Sequence, residues 1–212
     1  LDDLNRQLKP HGLWFPVDVS TSSRATIGGM AGNNSCGGRS IRYGMMRDNV
    51  LGIDAIMADG SEAYFGPLTP GTKPAGQLGR LLPDLLAMGT DRAADILAGF
   101  PKVLRRVGGY NIDAMLPPAL QQREQNMAQL LVGSEGTLGI ITAATVRLYP
   151  VANDSKIIFA SFTNINNLLQ FYSQIKKNFD DMLTSFEIIN VNAMELVINN
   201  NPEISRILKK QN

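Results

Sequence analysis

The sequence is poor in the residues that hold metals and staple small domains. It has one cysteine, Cys36, and one histidine, His11. A single cysteine excludes an internal disulfide and any iron–sulphur cluster held within these residues. One histidine cannot build a His-rich zinc site, so no metal site is expected. There is no excess of either charge. Lys and Arg number 20 against 19 Asp and Glu, a net charge of +1, and no basic stripe marks a nucleic-acid surface. No run approaches the roughly 18–20 apolar residues of a membrane span. No signal peptide is visible in a sequence that opens on Leu1, and a cytoplasmic setting is the expectation. With hydrophobic residues at 44%, the 212 residues can fill an ordinary globular core.

Glycine, by contrast, is concentrated. Residues 26–44 hold six glycines in nineteen positions, interleaved with Asn33, Asn34 and Ser35. Glycine costs folding entropy, so it gathers where backbone bends sharply or approaches something closely. Bare N–H groups with short polar side chains suit a loop laid against a phosphate or a planar hydrogen-bonding ring. The familiar phosphate motifs fail. Gly32 and Gly37 have P-loop spacing, but Gly38 stands where that motif needs Lys. Gly28, Gly29 and Gly32 do not follow the dinucleotide fingerprint.

Periodicity predicts a helix over 1–12, a strand over 50–58, a hairpin turn at Asp59-Gly60 and a returning strand over 62–65. A Pro- and Gly-rich loop follows at 66–76, then helices near 77–88 and 91–106, with Pro83 and Pro101 as breaks. Gly108-Gly109-Tyr110-Asn111 reads as a tight turn, and the polar run in 117–128 as a solvated loop or short surface helix. Leu130-Leu131-Val132 reads as a short strand, Gly133–Gly139 as a second glycine loop and 140–148 as a strand. Beyond Pro150 the order becomes β-α-β-α: strands over 157–162 and 182–189, helices over 164–179 and 191–198.

Taken in order, Thr-Ile-Gly-Gly, Asn-Asn-Ser-Cys-Gly, Tyr-Gly, a strand ending Ala-Asp-Gly, and about ninety residues later Gly-Ser-Glu-Gly-Thr-Leu-Gly-Ile-Ile-Thr form a set. It resembles the FAD-linked oxidases and dehydrogenases of the vanillyl-alcohol oxidase superfamily, with a PCMH-type FAD domain. The branch closest in style acts on D-lactate, glycolate and D-2-hydroxyglutarate. The Arg-Arg-Val-Gly-Gly-Tyr-Asn stretch at 105–111 is similar to a Gly-Tyr-Asp element of that branch. The resemblance covers about residues 14–150, with a looser likeness to the family's cap domain over 151–212. It departs at Cys36, where the family commonly has Gly.

The resemblance implies an α+β fold: residues 1–150 as the second subdomain of the FAD-binding domain, an antiparallel-rich sheet flanked by helices, and 151–212 as the start of a ferredoxin-like cap. It implies FAD as cofactor, contacted by Thr26, Ile27, Gly28, Gly29, Asn33, Asn34, Ser35 and Cys36 and again by Glu135, Gly136, Thr137, Leu138, Gly139, Ile140 and Ile141. The reaction implied is oxidation of a small D-2-hydroxy acid to the 2-oxo acid by hydride transfer to flavin. Arg24, Arg105 and Arg106 are candidates for the substrate carboxylate, because a guanidinium fork matches it. Tyr110 either faces the flavin or packs beside Gly109. No catalytic base is legible; the resemblance places the base, the metal ligands and the main pyrophosphate loop outside these 212 residues, so the chain reads as an inactive fragment, colourless when purified. Two other readings stay open: the same fold with other chemistry (an alditol oxidase, ether-lipid synthase or cell-wall precursor reductase type), and a non-enzymatic module retaining the fold.

Overall fold

The computed structural model describes residues 1–69, 71, 73–121, 124–203 and 206. Helix α1 (Asp2–Leu8) ends in a 3-10 turn, Lys9–His11, and the left-handed Gly12 turns the chain into strand β1 (Leu13–Trp14). The first glycine-rich segment is not a continuous loop. Thr26 caps a two-turn helix, α2 (Ile27–Asn33), its Oγ1 accepting from the Gly29 N–H at 3.1 Å. That cap supplies the start signal, and an α turn forms although two of its first three residues are glycine. Short helices α3 (Ser40–Tyr43) and α4 (Met46–Asn49) lead into β2 (Val50–Ile56), which folds back at Asp59-Gly60 onto β3 (Glu62–Phe65).

Two helices follow, α5 (Gly76–Asp91) and α6 (Ala93–Gly99). Pro83 lies inside α5 rather than breaking it. It leaves one carbonyl, that of Gly79, without its helical partner, and the apolar face of the helix holds the remainder together. The second helix stops at Gly99, short of the predicted 106, because Pro101 disfavours helix in the residue before it.

A short α7 (Pro118–Gln121) comes next, and here the expectation of a solvated run fails in part. Gln125 Nε2 donates to the carbonyls of Met115 and Leu116, and the buried Gln129 donates to the carbonyl of Arg47 at 2.7 Å. The strand expected at Leu130–Val132 is instead a buried helical turn, α8 (Ala128–Leu131). Short apolar runs do not distinguish strand from buried helix, and all four residues of the turn are buried.

Strand β4 (Ile140–Val146) completes an antiparallel sheet in the order β3-β2-β4. Its register against β2 slips between Val50 and Gly52 and between Asp54 and Ala55. β5 (Tyr149–Pro150) pairs with β1 and ties the chain's beginning to this unit. One sheet face carries the core: Phe15, Met46, Ile53, Phe65, Leu78, Met115, Met127 and Leu131 pack together under the helices.

Beyond Pro150 the helices form as expected, α9 (Ile165–Phe179) capped by Asn164 and α10 (Val191–Asn200) capped by Asn190. The strands expected at 157–162 and 182–189 do not form among the described residues. A strand needs a hydrogen-bonding neighbour, and Ile157, Ile158 and Phe159 stand almost fully exposed. No described residue after 150 is buried. The whole is an α+β arrangement, and no helix among the described residues is long and apolar enough to cross a membrane.

Candidate functional site

The two glycine segments, a hundred residues apart in sequence, meet. The Gly133 N–H donates to the Ala31 carbonyl at 2.9 Å and the Glu135 N–H to the Gly32 carbonyl at 3.0 Å. Asn33 Nδ2 donates to Glu135 Oε1 at 2.7 Å. At the other end of α2, a Cβ on Gly28 would lie 3.7 Å from the Ile141 side chain. Helix α2 therefore runs along the whole 135–141 segment. The only non-glycine residues with left-handed backbone among those described are Asn34 (φ 53) and Glu135 (φ 52), one on each side of this junction. Such conformations cost about 1–3 kcal/mol each and concentrate where surrounding structure enforces them. The family's glycine position, Cys36, is not left-handed; Asn34 makes the turn.

Beneath the junction lies a polar network of which sequence reading had singled out only Asn34 and Arg106 as candidate site residues. Asn34 is buried and faces both ways: its Nδ2 donates to the Arg106 carbonyl at 3.1 Å and its Oδ1 accepts from the Arg47 N–H at 2.9 Å. Asn111 donates to the Val132 carbonyl at 2.7 Å, just before Gly133, and its Oδ1 accepts from Arg47 and Arg106, both at 3.0 Å. Asp113 takes both guanidiniums, Arg106 at 2.7 Å and Arg47 at 3.0 Å. Burial pushes the Asp113 carboxyl up, but the two arginines together outweigh it and hold the group below the ordinary carboxylate range. The Tyr-Asn step of the Gly-Gly-Tyr-Asn turn was the available signal for Asn111; nothing in the sequence marked Arg47.

The remaining candidates fall into place around this frame. Tyr110 bonds through its hydroxyl to Thr137 Oγ1 at 2.8 Å, which joins the tight turn to the second glycine loop. Thr137 Oγ1 also donates to the Ser134 carbonyl at 2.6 Å. Ser35 Oγ donates to Asn33 Oδ1 at 3.0 Å. Arg105 aims its Nε and one terminal nitrogen at Cys36 Sγ, at 3.2 and 3.0 Å. It lines a cleft of about 430 Å³ between Gly37–Gly38 and residues 186–188. Arg24 sits in the exposed turn before α2. Leu138, Gly139 and Ile140 lead from the loop into β4, with Ile140 paired to Ile56.

This junction suits a flavin nucleotide. Glu135, Gly136, Thr137 and Leu138 are exposed, and a Cβ on Gly136 would meet nothing within 4 Å. The N–H groups of Gly136 and Leu138 bond no group among the described residues. The Ser134 hydroxyl is buried and likewise unpartnered. Side-chain-poor backbone with spare donors is what a pyrophosphate or a heterocycle edge requires.

Comparison with known proteins agrees. Residues 1–65 match the FAD binding domain family. D-2-hydroxyglutarate dehydrogenase of Pseudomonas putida is 30% identical over 174 residues, which is 80% of this chain and 17% of that protein. Glycolate oxidase subunit GlcD of Bacillus subtilis is 30% identical over 82% of this chain and 26% of its own length. A protein of Danio rerio named as a probable mitochondrial D-lactate dehydrogenase is 31% identical over 81% of this chain and 25% of its own length. The chain carries an FAD binding domain match over residues 1–65 and is similar, over about four-fifths of its length, to dehydrogenases and oxidases of the D-2-hydroxy-acid branch. It spans 17% of the length of the bacterial D-2-hydroxyglutarate dehydrogenases first matched and about a quarter of the glycolate oxidase and D-lactate dehydrogenase relatives.

Proposed function

We propose that the protein is part of an FAD-dependent oxidoreductase that converts a D-2-hydroxy acid to its 2-oxo acid. Residues 1–150 seat the flavin and 151–212 open the substrate-side cap. One observation carries the reading: Ala31–Asn33 and Gly133–Glu135 are fastened together by two backbone hydrogen bonds and one side-chain bond, leaving spare amides exposed beside them. FAD, when bound, supplies the two-electron acceptor; the chain supplies position and charge. The amides of Gly136 and Leu138 and the hydroxyl of Ser134 would hold it. Of the three arginines singled out, Arg105 is the best placed for the substrate carboxylate, since it lines an open cleft and its guanidinium is steadied by Cys36.

The test uses the full-length, FAD-loaded protein under anaerobic conditions. D-lactate, glycolate or D-2-hydroxyglutarate should bleach the oxidised flavin band, and Arg105→Gln should raise KM about tenfold or more while changing kcat less. Bleaching by an alditol and by none of the three acids would replace this reading with the other chemistry of the fold. No bleaching by any substrate would favour a non-enzymatic module.

A further inference from the structure

A second cleft, of about 580 Å³, lies between α6 and the Gly108-Gly109 turn. Its walls are apolar, formed by Met88, Ile96, Phe100 and Ile112. Arg106 also lines it, with a side chain only 13% exposed. One terminal nitrogen of Arg106 is satisfied, donating to both Asn111 and Asp113. The guanidinium carbon lies over the Phe100 ring, 4.3 Å from its centre. A cation–π contact of this kind takes up no N–H donor. The Nε and the other terminal nitrogen have no acceptor among the described residues.

Charge points the same way. Arg47 and Arg106, 8% and 13% exposed, share one carboxylate, Asp113. Two positive charges against one negative leave a single uncompensated positive charge at the inner wall of the cleft. The rim adds none, because Arg92 pairs with Asp95. Arg106 lines the cleft, and a bound counter-charge there pairs the excess charge. One excess charge calls for a monoanion rather than a phosphate dianion, and apolar walls call for a hydrocarbon body.

We propose that this cleft binds an aliphatic carboxylate of medium length. Its head group sits on the free donors of Arg106, and its chain lies along Met88, Ile96, Phe100 and Ile112. This does not rest on the flavin reading. Tyr110 lines the same cleft and bonds Thr137, so occupancy reaches the second glycine loop.

Octanoate, octanol and acetate, titrated into the protein and followed by calorimetry and amide NMR, test the proposal. Octanoate should bind about tenfold tighter or more than octanol, which lacks the charge, and than acetate, which lacks the chain. The amides of Gly108, Gly109 and Thr137 should shift with octanoate. Arg106→Gln should abolish the preference for octanoate over octanol. Arg106 also holds the buried network, so Gly99→Leu is the independent variant: Gly99 lines the cleft and a Cβ there meets nothing within 4 Å, so the larger side chain narrows the cleft with no backbone strain. It should weaken octanoate binding about tenfold with an unchanged unfolding midpoint. Absence of octanoate binding, equal affinity for octanol, or full binding by the folded Gly99→Leu variant would overturn the proposal.

Discussion

At the scale of single residues, Asp113 is the point on which the frame under the glycine segments turns. It is the shared partner of two largely buried guanidiniums. Asp113→Asn keeps the shape but strands both charges, and breaking a buried pair of this kind costs about 3 kcal/mol. Urea unfolding of the variant should show that loss as a lowered midpoint at neutral pH. The pH dependence has a definite sign. The folded-state pKa of Asp113 is depressed, so its contribution is fully present above the unfolded value of about 3.9. It is lost as pH falls through the folded value. Unfolding midpoints of the wild type should therefore drop on acidification below about pH 4, and Asp113→Asn should flatten that drop.

At the scale of elements, the junction depends on two left-handed glycines that differ in their surroundings. Gly133 (φ +85) and Gly136 (φ +76) both exclude an unstrained side chain. A Cβ on Gly133 would also come 3.3 Å from both Asn34 Cβ and the Gly109 carbonyl, whereas one on Gly136 meets open space. Gly136→Ala should cost about 1 kcal/mol and Gly133→Ala clearly more, as compared by urea midpoints. These glycines also show how far sequence reading reached. The apolar run at 50–58, the Asp59-Gly60 turn and the amphipathic spacing of 165–179 marked their elements, because each pattern is local. The two-turn helix inside the first glycine segment was hidden, since glycine content outweighed the Thr26 cap. Leu130-Leu131 was read with the wrong period because burial on all sides erases periodicity. The strands after 150 were read from composition alone, and composition does not supply a hydrogen-bonding neighbour. The candidate flavin contacts came from the resemblance of the two glycine segments to a family, but the Arg47–Asn111–Asp113 support was not legible, because its members lie 64 and 66 residues apart along the chain.

At the scale of the whole molecule, stability resides before Pro150. Every residue of the buried core lies between Phe15 and Val132, and β1 pairs with β5 at the unit's far end. A shortened chain ending at Asn153 should melt within about 3 °C of the full one by calorimetry, since no described residue beyond 150 is buried. A larger fall would show that α9 and α10 contribute to the core.

The bonds from Gly133 to Ala31 and from Glu135 to Gly32 join one stretch of this chain's own backbone to another. The entropy of shaping that surface is therefore surrendered when the chain folds rather than when a nucleotide arrives. Capture there should resemble a key entering a cut lock, with an observed association rate that rises in direct proportion to nucleotide concentration and shows no plateau from a slow rearrangement.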